Sequence, residues 1–99
     1  MRKENRQALD ALFSAMPLLG SREECAAFFE DLCTINELQS MAQRFEVATM
    51  LKSDQTYLAI ASKTGASTAT ISRVNRSLTY VNDGYDLVLG RLREEENKK

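Results

Sequence analysis

Apolar residues recur along this chain at helical spacing. Leu9, Leu12, Phe13 and Met16 fall at i, i+3, i+4 and i+7 on one face of residues 3–16, and Pro17 closes the run. A second stripe, Cys25, Phe28, Phe29, Leu32 and Cys33, follows "SREE" at Ser21 to Glu24, where a serine and the glutamate three residues on form a capping box. Another box, "TINE" at Thr34 to Glu37, opens a third run in which Leu38, Met41, Phe45 and Ala48 share a stripe that Val47 and Leu51 widen. Asp54 and Thr56 are both candidate caps for a short fourth helix, "YLAIASKT", which Gly65 ends because glycine tolerates the left-handed turn conformation. A fifth helix is expected from about Thr68 to Leu78. The cluster "NDGY", Asn82 to Tyr85, then turns the chain into a last helix striped by Tyr85, Val88, Leu89 and Leu92, and the mixed-charge tail "REEENKK" is expected to fray. No useful length alternates with period two. The expected fold is all-α, six helices in a single domain over residues 1–99.

Composition narrows the chemistry. The hydrophobic share of 43% and charged share of 27% are ordinary for a globular chain, and 99 residues enclose only a modest core. No apolar run approaches the roughly 20 residues that span a bilayer, and the charged start "MRKENR" is unlike a signal peptide, so a cytoplasmic protein with no membrane partner is expected. Histidine is absent, which removes the commonest general base, the commonest metal ligand and every Ser-His or Cys-His nucleophile. Cys25 and Cys33 read as buried apolar filler, since two thiolates without an imidazole make a poor zinc site. Glu23 with Glu24, and Glu94 to Glu96, read as solvated helix surface, with no base, metal triad or phosphate-cradling loop beside them. Neither an enzyme nor a metal or cofactor site is expected.

One stretch does carry a function. Counting from Tyr57, Ala61 stands fifth, Gly65 ninth, Ala66 tenth, Ile71 fifteenth and Val74 eighteenth, the offsets of a helix-turn-helix over about residues 56–78. The fifth residue must be small where the two helices touch, the ninth turns the chain, and the last two dock the second helix on the first. Thr64 is the one imperfect place, where a larger apolar residue is usual. With Ile71 and Val74 inward, the outer face of the second helix presents Ser67, Thr68, Ala69, Ser72, Arg73 and Arg76. Small residues let a helix enter a major groove roughly 12 Å wide, where hydroxyls meet phosphates or base edges, methyls meet thymine and arginine pairs with guanine or phosphate.

The charge pattern agrees locally. From Gln55 to Asn82 there are three basic residues, Lys63, Arg73 and Arg76, and no acidic one, although the whole chain carries a net −1. With a Debye length of about 8 Å, distant acids are largely screened from a phosphate at this face. Two readings follow, a DNA-binding regulator of transcription and a helical dimerisation or scaffold protein that keeps the shape without binding DNA.

The "LCT" to "NEL" junction, Arg44 in the third helix, and "ATISRVNRSL" are similar to the tryptophan repressor superfamily, in particular its Trp-repressor-like branch; the strong part of the resemblance spans residues 28–78. The resemblance implies a six-helix subunit that folds as an intertwined homodimer and acts as a repressor, with its two recognition helices set into successive major grooves of an approximately palindromic duplex. Three amphipathic helices with broad apolar faces agree with a partner copy. The resemblance also implies an amino-acid-like effector at the positions matching its pocket: Thr34, Arg44, Thr70, Arg73 and Ser77. One arginine suits a carboxylate, and a second can stack on a planar ring. Where the family has glycine after the second pocket arginine, this chain has Val74, which counts against tryptophan itself and leaves a pocket filled by protein as the alternative. Arg73 carries both readings, ligand stacking and DNA contact. Arg44 is equally readable as a solvated flank or an intersubunit ion pair.

Overall fold

The computed structural model describes residues 2–80 and 83–98. Six α-helices and one short turn of 3-10 helix make up the regular structure among the described residues: α1 (Lys3–Ala15), the 3-10 turn (Met16–Leu18), α2 (Arg22–Leu32), α3 (Ile35–Lys52), α4 (Tyr57–Thr64), α5 (Thr68–Tyr80) and α6 (Gly84–Asn97). The all-α, six-helix expectation holds. Val81 and Asn82, part of the expected "NDGY" turn and its approach, lie outside the described residues. The chain forms two compact units, Met1–Leu38 and Gln39–Lys99, with the boundary inside α3.

In the first unit, α1 tightens into its 3-10 turn at Pro17, and the Leu19 N–H closes it on the Met16 carbonyl at 3.1 Å. A proline cannot donate the bond that a continuing α-helix requires there. Ser21 caps α2 by accepting the Glu24 N–H at 3.1 Å, whereas the Glu24 carboxylate reaches back one residue further than a standard box and accepts from the Gly20 N–H at 2.6 Å. Thr34 and Glu37 do form the reciprocal box: the Thr34 Oγ1 accepts the Glu37 N–H at 3.1 Å, and the Glu37 carboxylate accepts the Thr34 N–H at 2.8 Å. The Thr34 backbone N–H foremost, and the Thr34 side chain after it, hold the Glu37 carboxyl below its ordinary pKa by hydrogen bonding to it. Phe28 and Phe29 meet edge to face with centroids 5.5 Å apart. Neither α1 nor α2 holds a buried residue. Cys25 and Cys33 are free thiols and only half-buried, short of the expected full burial, because the stripe they share with the two phenylalanines is not enclosed within one chain.

The second unit has an enclosed core. Val47 and Ala48 of α3, Ile60 of α4, Ala66 of the connecting turn, and Ile71 and Val74 of α5 are buried together, with Met50, Leu51, Ala61, Leu78 and Tyr85 packed around them. Of the broad stripe expected on α3, the structure selects Val47 and Ala48, while Phe45 stays more than a third exposed. Lys52 of α3 and Asp86 of α6 pair at 2.8 Å, both half-exposed. Asp54 is not a helix cap: with φ of 60° it occupies the left-handed region in the α3–α4 turn, and Thr56 alone caps α4 by accepting the Ala59 N–H at 3.1 Å. The tail expected to fray is helical to Asn97, built largely from the strong helix formers Arg and Glu, with the exposed Lys98 3.6 Å from Glu95. Among the described residues no helix is long and apolar enough to cross a membrane.

Candidate nucleic-acid interface

The site begins at the turn between α4 and α5. Gly65 adopts φ of 74°, and its N–H bonds the Ala61 carbonyl at 2.9 Å, so α4 ends in the left-handed cap that glycine adopts without strain. A Cβ here would meet no atom within 4 Å, so the requirement is conformational and not steric. Ala66 then turns inward, and Ser67 starts α5 by accepting the Thr70 N–H at 3.1 Å. The Ser67 hydroxyl also donates to the Thr70 Oγ1 at 3.1 Å.

From that start the 3.6-residue repeat sorts α5 into two sides. Ile71 and Val74 face the core, with Leu78 half-buried one turn further on. On the other side Thr68, Ala69, Arg73 and Arg76 are exposed and Ser72 is half-exposed. The open outer face therefore has the composition expected of it, with two changes of role. Ser67 is exposed, but its hydroxyl serves the helix start. Lys63 is exposed on α4, yet its Nζ lies 3.6 Å from the Glu46 carboxylate of α3, so a surface free of acids along the chain is not free of them in space.

The candidate effector residues fall in different places. Thr34 belongs to the first unit, where its backbone and hydroxyl are both engaged in capping α3. Thr70, Arg73 and Ser77 line one flank of α5, between the core side and the outer face, and the Thr70 hydroxyl is engaged by Ser67. Arg44 is half-buried on α3, one turn before Val47 and Ala48. No hydrogen bond joins Arg44 to α5 among the described residues. Two open hollows mark the second unit, one of ≈360 Å³ lined by Phe45, Thr49, Lys52, Leu89, Leu92 and Arg93 among others, and one of ≈560 Å³ lined by Gln39, Ala42, Gln43, Glu46 and Thr64. Arg44, Thr70, Arg73 and Ser77 line neither. Among the described residues no group of three His, Cys, Asp or Glu is placed to hold a metal ion.

Three residues matter that sequence reasoning missed. The Gln43 Nε2 donates to the Thr64 carbonyl at 3.1 Å, tying α3 to the end of α4. The Thr64 hydroxyl donates to the Ile60 carbonyl at 2.7 Å and accepts the Ala66 N–H at 3.1 Å, which braces the turn from inside. Glu46 supplies the acid facing Lys63. The departure from the usual apolar pattern at Thr64 is the one signal of them in the sequence.

A glycine-turned helix pair, locked by an apolar inner stripe and open along an outer stripe of small residues and arginines, defines a helix-turn-helix protein. Residues 7–93 match the family described as Trp repressor protein, and the chain belongs to that family, whose members are helical DNA-binding regulators and not enzymes. It is 57% identical over 90 residues to the uncharacterized protein YerC of Bacillus subtilis (strain 168), covering 91% of this chain and 86% of that one. The crystal structure of a TrpR-like protein from Eubacterium eligens ATCC 27750 matches with a TM-score of 0.83 at 64% identity, over 87% of this chain and 89% of the other. A Staphylococcus aureus protein solved as a candidate Trp repressor matches with a TM-score of 0.85 at 53% identity, over 94% of this chain and 95% of that one.

Proposed function

We propose that two copies of this chain form a homodimer that binds an approximately palindromic DNA operator and represses transcription by excluding polymerase. The single observation that carries this is the open side of α5, where Thr68, Ala69, Arg73 and Arg76 stand exposed while Ile71 and Val74 fix the helix from behind. That composition suits a major groove: alanine and the threonine methyl meet thymine, and arginine pairs with guanine or phosphate. A twofold dimer presents two such helices one helical turn of DNA apart. Partnership is supported by apolar surface that one chain leaves uncovered, including Phe13, Leu18, Leu32 and Ile35, each at least half exposed.

The charge at this face is modest, so the contribution of base contacts and shape outweighs that of bulk electrostatics. Selection of bound duplexes from a random-sequence pool, followed by anisotropy titration, tests the reading. A shared palindromic motif is the expected result. A protein that is dimeric but retains no duplex in low salt is a scaffold instead.

A further inference from the structure

We infer that this helix-turn-helix is preset by the chain's own contacts, with Gln43 as a positioning residue, so that it reads duplex DNA without a small-molecule corepressor. The inference rests on the DNA reading proposed above and concerns its regulation. A ligand shifts an equilibrium only by binding one arrangement of the protein better than another. A reader already held in one arrangement offers a ligand nothing to select.

Three sets of contacts hold it. Val74 is 1% exposed in one buried cluster with Val47 and Ala48 of α3, Ile60 of α4 and Ile71. Rotating α5 against α3 would open a void at each of these side chains, a cost that rises with the volume left empty. Gln43 adds a directional link, because its side-chain N–H reaches the Thr64 carbonyl at 3.1 Å, at the end of α4 where carbonyls lack intrahelical partners. Thr64 passes that link onward, its hydroxyl bonding the Ile60 carbonyl behind and the Ala66 N–H ahead, just past the glycine. The polarity of Thr64, which breaks the usual apolar pattern, is what lets one residue brace both sides of the turn.

On the expected effector flank one pair of hydroxyls is already engaged, that of Ser67 and Thr70. A ligand that addressed Thr70 would have to displace its bond with Ser67.

The experiment uses full-length wild-type protein, duplex selections run in parallel without additives and with the common amino acids and indole, and a random duplex of equal length. Affinity for the selected duplex is expected to change less than about twofold when each of the common amino acids or indole is added. Gln43→Met, which keeps the length and removes the donor, is expected to weaken the selected duplex about two- to tenfold, the range of one neutral hydrogen bond. Its affinity for random duplex and its salt slope stay unchanged, since Gln43 is assigned no phosphate contact. Thr64→Val, which keeps the shape and loses the hydroxyl, moves the same ratio in the same direction. A lowered stability alone would leave the ratio of selected to random binding where it was, and that outcome overturns the assignment. DNA binding that appears only with an added amino acid or indole overturns the inference while the DNA reading stands. Failure to retain any duplex, with or without additives, overturns both.

Discussion

Both units of this chain are built from amphipathic helices, yet only the second encloses side chains. In α1 and α2 the stripes stop at partial burial at Leu9, Leu12, Cys25, Phe28 and Phe29, Phe13 and Leu32 are exposed, and nothing in either helix is fully covered. In the second unit five side chains, Val47, Ala48, Ile60, Ile71 and Val74, lie below 2% exposure. Amphipathic stripes in both units with unequal burial teach that the stripe records what a helix must cover, not whether its own chain supplies the cover. The second unit encloses its own core; the first leaves its apolar stripes open.

The largest effect is expected where that contrast is sharpest. Phe13 is 57% exposed in one chain, so Phe13→Ala should cost no more than about 0.5 kcal/mol if it stays in water. Covered by a second copy, it should cost about 3–5 kcal/mol, with a Tm that falls on dilution. Thermal melts across a hundredfold range of protein concentration separate the two.

Ile71→Ala should destabilise by about 2–5 kcal/mol, because the side chain is fully enclosed within its own unit. Here the difference between wild type and variant should not depend on concentration. A loss that disappears at high concentration would show that the second unit also depends on a partner for its interior.

Arg73→Ala with Arg76→Ala should leave stability within about 0.5 kcal/mol, as both are exposed. Operator affinity should fall by roughly 1–3 kcal/mol per base-reading arginine, or the salt slope should drop by about 0.9 for each phosphate no longer neutralised. Titrations at several salt concentrations distinguish the two roles, and would settle whether α5 is a reader or only a packing element.

Gly65→Ala is expected to cost about 1–2 kcal/mol, since φ of 74° is strained for a residue with a Cβ even though open space surrounds it. Denaturant unfolding measures it. The smallest effect is at Glu37, which is fully exposed. Its pKa is lowered by folding, so its contribution is present above the unfolded value and is lost as pH falls through the lowered folded value. Helicity followed by circular dichroism from pH 7 to pH 2 should show slightly less acid-side loss in Glu37→Gln than in wild type.

The helices themselves are legible in the sequence because capping residues and 3.6-residue stripes are local: Thr34, Thr56, Pro17 and Gly65 each mark a terminus that the structure reproduces. The inward pair Ile71 and Val74 is legible for the same reason, by fixed offsets from a glycine. What stays hidden requires knowing which helix faces which. Glu46 lies 17 positions before Lys63 and Gln43 lies 21 before Thr64, and no periodicity relates them. Asp54 resembles a cap because aspartate tolerates both a cap and a left-handed turn, and only the chain direction decides. Ser67 looks like a free surface hydroxyl because its bond to Thr70 competes with any outside partner in a way the sequence does not rank.

The ion pair between Lys63 and Glu46 has a kinetic consequence. One of three cations near the turn already faces an acid, so under the proposed DNA reading fewer condensed counterions would leave when random duplex is touched, and such encounters would be weak. Under that same reading, residence time would be set by agreement of shape and bases and not by bulk charge.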